Sequence, residues 1–442
     1  MIARRVTCIL ILVAVVMVPV TLHAGAAATS AASFPASLDE PVGVLTLRQA
    51  LGVALVRNPE LAAVAMEVRM RDARALQAGL LPNPALVTEV EDVGGSGQRR
   101  AWDAGQTTLS IAQLLELGGK RAKRRHAAEL ERDLAGWDYE AKRLTVLTDV
   151  AKAFVATLAA QERLALTDEL LRIAEESVRT VAATVRTGAV SPVEQTRAQV
   201  TLGRARAERS QIERELATAR TALATTWGGR EAHFVRAAGD LGEMKPPPPL
   251  DTLLPDVGRN PDVARWQAER AQREAALAVE ETRRIPDVTL TAGGRHFADE
   301  TDGALVFGFS VPLPVFDRNQ GNILAAERAI SKAATEQRAA EVGAHAGLRT
   351  AYEGLRAAFE QASALRDHVI PDAQRTYEGA RDAYSRGLFR YLEVLDAQRS
   401  LFELRSQYLD ALARYHQASA DLARLTGGSP DGPPADQGRD DR

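Results

Sequence analysis

Glu393 and Asp396 stand six and nine residues after Gly387 and three residues apart, so on a helix they share one face. Glu194 and Arg197 hold the same two places after Gly188. A lone pair of carboxylates on a helix is most often a solvated face. Gathered into rings by several copies of a chain, such groups raise one another's pKa values and attract cations. That chemistry is electrostatic rather than catalytic. The sequence holds no Gly-x-Ser-x-Gly, no phosphate-cradling Gly loop followed by Lys-Ser/Thr and no His-Glu-x-x-His. Gly94-Gly95-Ser96-Gly97 sits in a polar loop and reads as a flexible turn. No enzyme and no cofactor are expected. His126, His233, His296, His345, His368 and His416 never fall three or four apart, so no bound metal is expected either.

The elements that would carry these residues follow from composition. Of 442 residues, 45% are hydrophobic but only 5% aromatic, and many are Ala, which favours closely packed helices over a thick globular core. The formal net charge of −3 gives no nucleic-acid footprint. Residues 1–24 read as a secretory signal: Arg4 and Arg5, an apolar run from Cys8 to Leu22, then Leu22-His23-Ala24 at the cut. Removing the two Arg takes the charge from −3 to −5. The lone Cys8 leaves with the signal, and Arg5-Val6-Thr7 before it is not a lipobox, so neither a disulfide nor an acyl anchor is expected. No later run approaches the roughly 18 apolar residues of a transmembrane helix.

The chain is written twice. Asn58-Pro59-Glu60-Leu61 recurs as Asn260-Pro261-Asp262-Val263, Arg186-Thr187-Gly188 as Ser385-Arg386-Gly387, and Trp227-Gly228-Gly229 as Thr426-Gly427-Gly428, all at offsets of 199 to 202. The repeats span 45–229 and 250–428, joined by a stiff linker, 245–249, of Lys245 and four Pro. The tail, 429–442, has no core residues and reads as disordered.

Each repeat reads as a helix, a hairpin of strands, a very long helix, a Gly turn and a return helix. The opening helices are expected over Leu47 to Leu80 and Leu250 to Arg284. Leu144, Leu147, Ala151, Phe154 and Leu158 make one 3-4 stripe, and Leu348, Tyr352, Leu355, Phe359 and Ala362 its counterpart. From Lys120 to Arg186 there is no Pro, so one helix there would reach about 100 Å at 1.5 Å per residue. Strands are expected at 85–91, 107–113, 287–296 and 304–311, with Leu305, Phe307, Phe309 and Val311 alternating with small or polar residues. Their length suits a tilted crossing of a bilayer. Four strands per chain cannot close in lipid, because an open edge leaves backbone groups unpaired. A homotrimer would supply 12 strands, an even number in the outer-membrane range.

This layout resembles the TolC-like outer-membrane efflux family over about residues 45 to 428. The resemblance is carried by Leu45-Thr46-Leu47-Arg48-Gln49-Ala50-Leu51, Asn58-Pro59-Glu60-Leu61, Tyr384-Ser385-Arg386-Gly387 and Glu393-Val394-Leu395-Asp396-Ala397-Gln398. Gly79-Leu80-Leu81-Pro82-Asn83-Pro84 and Leu115-Glu116-Leu117-Gly118-Gly119-Lys120-Arg121 resemble the branch paired with heavy-metal pumps of the cobalt–zinc–cadmium type. The resemblance implies a mainly α fold with a transmembrane β segment. Duplicated antiparallel helical hairpins form an α-barrel in the periplasm, and four strands per chain complete a trimeric 12-stranded β-barrel in outer-membrane lipid. It implies the exit duct of a tripartite proton-driven pump, partnered by a periplasmic adaptor and an inner-membrane transporter. It further implies that Glu393 and Asp396 line the pore constriction and that Glu194 and Tyr384 link neighbouring hairpins shut. The turns Gly188, Ala189, Val190 and Gly387, Leu388, Phe389 would meet the adaptor. The family pattern has a basic residue two after the second turn's Gly; here Phe389 stands there, with Arg390 next. Two alternatives stay open: a multidrug duct of the same family, and a soluble periplasmic coiled-coil adaptor or scaffold, which would need one helical hairpin and no amphipathic strands.

Overall fold

The computed structural model describes residues 40–97, 102, 104–188, 190–299 and 302–428. The expected signal and tail lie outside the described residues. The described residues form β1 (Gly43–Thr46), α1 (Leu47–Arg57), α2 (Pro59–Ala78), β2 (Ala85–Glu91), β3 (Gln106–Leu115), α3 (Lys120–Arg186), α4 (Pro192–Thr225), β4 (Phe234–Ala238), α5 (Leu250–Leu253), α6 (Pro261–Thr282), β5 (Val288–Phe297), β6 (Gly303–Ser310), α7 (Gln320–Ala364), α8 (Ile370–Ser385) and α9 (Tyr391–Leu425).

The single opening helices expected from the sequence are each broken. α1 ends where α2 begins, and a 3-10 turn, Leu254–Arg259, separates α5 from α6. In the second half Pro255 opens the 3-10 turn, and the last step before the next helix is the same in both halves. Pro59 and Pro261 push the preceding Asn out of the helical region, to ψ 120° at Asn58 and 128° at Asn260. Each Asn then caps the next helix, accepting from Leu61 N at 2.8 Å and from Asp262 N at 2.8 Å. Its amide nitrogen donates to the far end of the return helix: Asn58 to Thr226 O, Asn260 to Arg424 O and Leu425 O. Gly228 and Gly427, both at positive φ, close those ends beside Pro59 and Arg259.

α3 is one unbroken helix of 67 residues. Its counterpart is not. α7 passes through a π turn, Leu365–Val369, before α8 resumes. Pro371 has no N–H, and its ring would meet the carbonyl four residues back, so the helix widens by one residue there. α3 packs antiparallel to α4, and α8 to α9, while α3 also lies against α2, α6 and α9. The main core joins both halves through Val150, Phe154, Leu158, Leu223, Trp227 and Leu412. A short parallel pair, β1 with β4, which the sequence reading did not foresee, covers one side of that core. The Pro linker is clasped by Tyr415, whose hydroxyl donates to Lys245 O and accepts from Lys245 N.

The remaining strands form one antiparallel sheet in the order β2-β3-β5-β6, with β3 and β5 joining the two halves. One face carries Leu86, Leu109, Ile111, Leu290, Phe307 and Phe309, all exposed. The opposite face carries mostly small and polar side chains. Gly293 sits where a Cβ would fall 2.3 Å from Leu109 O, so only Gly lets β3 and β5 pair there. The outer strands β2 and β6 each keep one edge unpaired within the chain.

Candidate functional site

The two turns far from the sheet hold most of the residues singled out in the sequence. Gly188 (φ 75°) and Gly387 (φ 77°) reverse the chain in the left-handed region that disfavours a side chain. At the second turn Gly387 N donates to Tyr384 O at 3.0 Å and Leu388 N to Ala383 O at 2.9 Å, closing the end of α8. Ser191 caps α4 by accepting from Val193 N, and Pro192 opens that helix. Val190 is half-buried, whereas Leu388 and Phe389 are exposed, 74% and 50%. Ala189 lies outside the described residues.

Glu194 and Tyr384 come together. They meet beside Tyr391, whose ring lies 5.7 Å from that of Tyr384. Burial pushes the Tyr384 hydroxyl above its ordinary value, and Glu194 and then Tyr391 push the same way. Burial also raises Tyr391, with Tyr377 and Glu194 adding to it. Ser177 offsets part of this, though its hydroxyl is not placed to complete a hydrogen bond. Glu194 Oε2 and the hydroxyls of Tyr384 and Tyr391 are buried without hydrogen-bond partners among the described residues. Tyr391 and Gln398 escaped the sequence reading as members of this region. Both are 2% exposed, and Gln398 Nε2 too has no partner. Ala198-Gln199 recurs as Ala397-Gln398, 199 residues on, and that repeat was the available signal for Gln398.

Glu393 and Asp396 lie on the exposed side of α9, away from buried Tyr391, Val394 and Gln398. They do not act alike. Asp396 forms an ion pair with Arg399 at 2.9 Å and lines a groove of about 580 Å³ between α3, α4 and α9. Glu393 does not line it; in the first turn of α9 it complements the helix dipole. The groove has mixed charge, with Arg163, Arg204 and Arg399 against Glu208, Asp396 and Glu403. Among the described residues no three His, Cys, Asp or Glu side chains converge as a metal-holding group.

The family description "Outer membrane efflux protein" matches residues 50–229 and 257–428. The cobalt-zinc-cadmium resistance protein CzcC of Cupriavidus metallidurans is 34% identical over 402 residues, covering 90% of this chain and 94% of that protein. The nickel-cobalt-cadmium resistance protein NccC of Alcaligenes xylosoxydans xylosoxydans is 29% identical, covering 72% of this chain and 71% of its own. The CmeC outer membrane channel of Campylobacter jejuni shares the fold, with a TM-score of 0.73 at 17% identity over 87% of this chain and 86% of that one. Two long helical hairpins, a four-stranded sheet with an apolar exposed face, and these matches agree: the chain belongs to the outer membrane efflux protein family, as an outer-membrane channel with a periplasmic helical extension.

Proposed function

We propose that three copies close the β2-β3-β5-β6 sheet into a 12-stranded barrel and stack their hairpins into one periplasmic tube, forming the exit duct of a tripartite efflux pump. The observation that carries this is the sheet itself. Its exposed apolar face suits lipid, and its two unpaired edges, β2 and β6, require further copies. The cargo is a divalent heavy-metal cation, a reading supported by the resistance relatives CzcC and NccC and their coverage of the chain. The duct moves cargo without chemistry. Glu393 and Asp396 ring the pore near its periplasmic end. The Glu194, Tyr384 and Tyr391 group holds that end shut. The turns at Gly188 to Val190 and Gly387 to Phe389 meet a periplasmic adaptor, and an inner-membrane proton-driven transporter supplies the cargo.

Cells lacking the chain should become sensitive to zinc, cobalt or cadmium more than to detergents and dyes. The opposite pattern would assign the duct to organic compounds, as the toluene efflux protein TtgF of Pseudomonas putida, 25% identical, is named for.

A further inference from the structure

The inner face of the sheet has a pattern that the outer face lacks. Strand parity and register put Glu89 and Glu91 of β2, Gln106 and Thr108 of β3 and Arg295 of β5 on the face opposite Leu109 and Phe307. From this group down to Leu114, near the helical end, no side chain on that face is larger than Val. The long polar side chains are thus confined to one level, near the ends of the strands farthest from the helices.

Arg295 is held flat against this wall. Its Nε donates to Thr108 Oγ1 at 2.9 Å, Nη1 donates to Gln106 Oε1 at 3.1 Å, and Nη2 pairs with Glu91 at 3.0 Å. Gln106 Nε2 in turn donates to Asp92 Oδ2 at 2.9 Å. The guanidinium therefore spans from β5 across β3 to β2, and its bidentate-capable fork fixes the charge in place. Glu89, level with Thr108 and Arg295 through the strand register, is exposed and has no ion-pair partner among the described residues. On the strands, two carboxylates face one guanidinium, leaving an acidic excess in every copy.

We infer that this level is a fixed-charge collar at the outer exit of the duct, where Glu89 sets a preference for cations and Arg295 tempers it. The inference rests on the proposed closure of the sheet. Charges held on a low-dielectric wall bias which ions pass, and an outgoing cation is favoured by the acidic excess. The collar is separate from the Glu393 and Asp396 level, which lies at the opposite end of the long hairpins.

The test is the reversal potential of the full chain in planar bilayers under a KCl gradient. Glu89→Gln and Arg295→Gln are compared with wild type, each also in a Glu393→Ala, Asp396→Ala background so that the periplasmic end does not mask the exit. Glu89→Gln should shift the potential toward weaker cation preference and Arg295→Gln toward stronger. Arg295→Lys, which keeps the charge without the fork, should leave it near wild type and shows that charge rather than folding is read. Both shifts should shrink at high salt. Unchanged potentials for Glu89→Gln and Arg295→Gln in both backgrounds would overturn the collar while leaving the duct intact. A chain that passes no current even when Glu194→Ala unlinks the closed periplasmic end would overturn the duct itself, and the collar with it.

Discussion

The amide nitrogen of Asn58 donates to the Thr226 carbonyl at 2.7 Å, across 168 residues of chain, while the same side chain caps α2. Asn260 does both jobs in the second half. The repeated Asn-Pro is therefore a clasp that fixes where each return helix ends against each opening helix. Asn58→Ala should lose about 1 kcal/mol for the cap, and a further 1–3 kcal/mol or so for the carbonyl left unpaired. Asn58→Ser keeps a cap acceptor and loses the donation, so denaturant unfolding of the two variants separates the terms. Equal stability of wild type and Asn58→Ala would remove the clasp.

Gly293 should tolerate no side chain. An added Cβ meets Leu109 O at 2.3 Å and the Ser110 Cβ at 2.5 Å, in the pairing that joins the two halves of the sheet. Gly308→Ala is the control, since its nearest neighbour is Thr291 Cβ at 3.9 Å. Assembled protein recovered from outer membranes should fall sharply for Gly293→Ala and stay normal for Gly308→Ala.

Much of this was legible before the structure. Leu305, Phe307 and Phe309 alternate with small residues, and the strand over Gly303–Ser310 follows that alternation closely. The unbroken α3 followed from the absence of Pro between Lys120 and Arg186. What stayed hidden depended on distant partners. Asn58-Pro59 was visible as a repeat, but Thr226, which it ties, is far along the chain. β1 and β4 are four and five residues long and pair only with each other, too short for a period to show. At the candidate site, Glu194 and Tyr384 were named from resemblance. Their shared lack of hydrogen-bond partners, and the burial of Tyr391 and Gln398 beside them, are properties of packing that no spacing encodes.

Alkaline pH should loosen the turn end. The hydroxyls of Tyr384 and Tyr391 are raised above their ordinary value of 10.0, chiefly by burial, so folding favours the neutral form. Their contribution is complete below about pH 10 and is lost as pH climbs through the raised values. Protease nicking at 386–391 should therefore increase on passing into that range. The Tyr384→Phe, Tyr391→Phe double variant should lack this step, because it has no hydroxyl there to ionise. An identical alkaline step in the double variant would assign the loosening to other groups.

Replacing both Glu393 and Asp396 by Ala should weaken cation selectivity and block by divalent cations in bilayer recordings. Asp396→Ala also frees Arg399, so it should shift selectivity further than Glu393→Ala. Wild-type selectivity and block in the double variant would return both carboxylates to a solvated outer face.

Phe307→Lys or Phe309→Lys should cost about 2–4 kcal/mol at mid-bilayer depth and impair insertion. Both rings are exposed in the single chain, 75% and 78%, so the loss reports lipid contact rather than a core defect. Normal outer-membrane levels of both variants would count against the lipid-facing assignment.

The most direct measurement is the mass of the species released by mild detergent from the outer-membrane fraction, taken by native mass spectrometry and compared with gel migration before and after heating. Three copies of this chain are expected, migrating as a compact species that heat converts to monomer. A water-soluble monomer recovered from the periplasm, with none in the outer membrane, would contradict it.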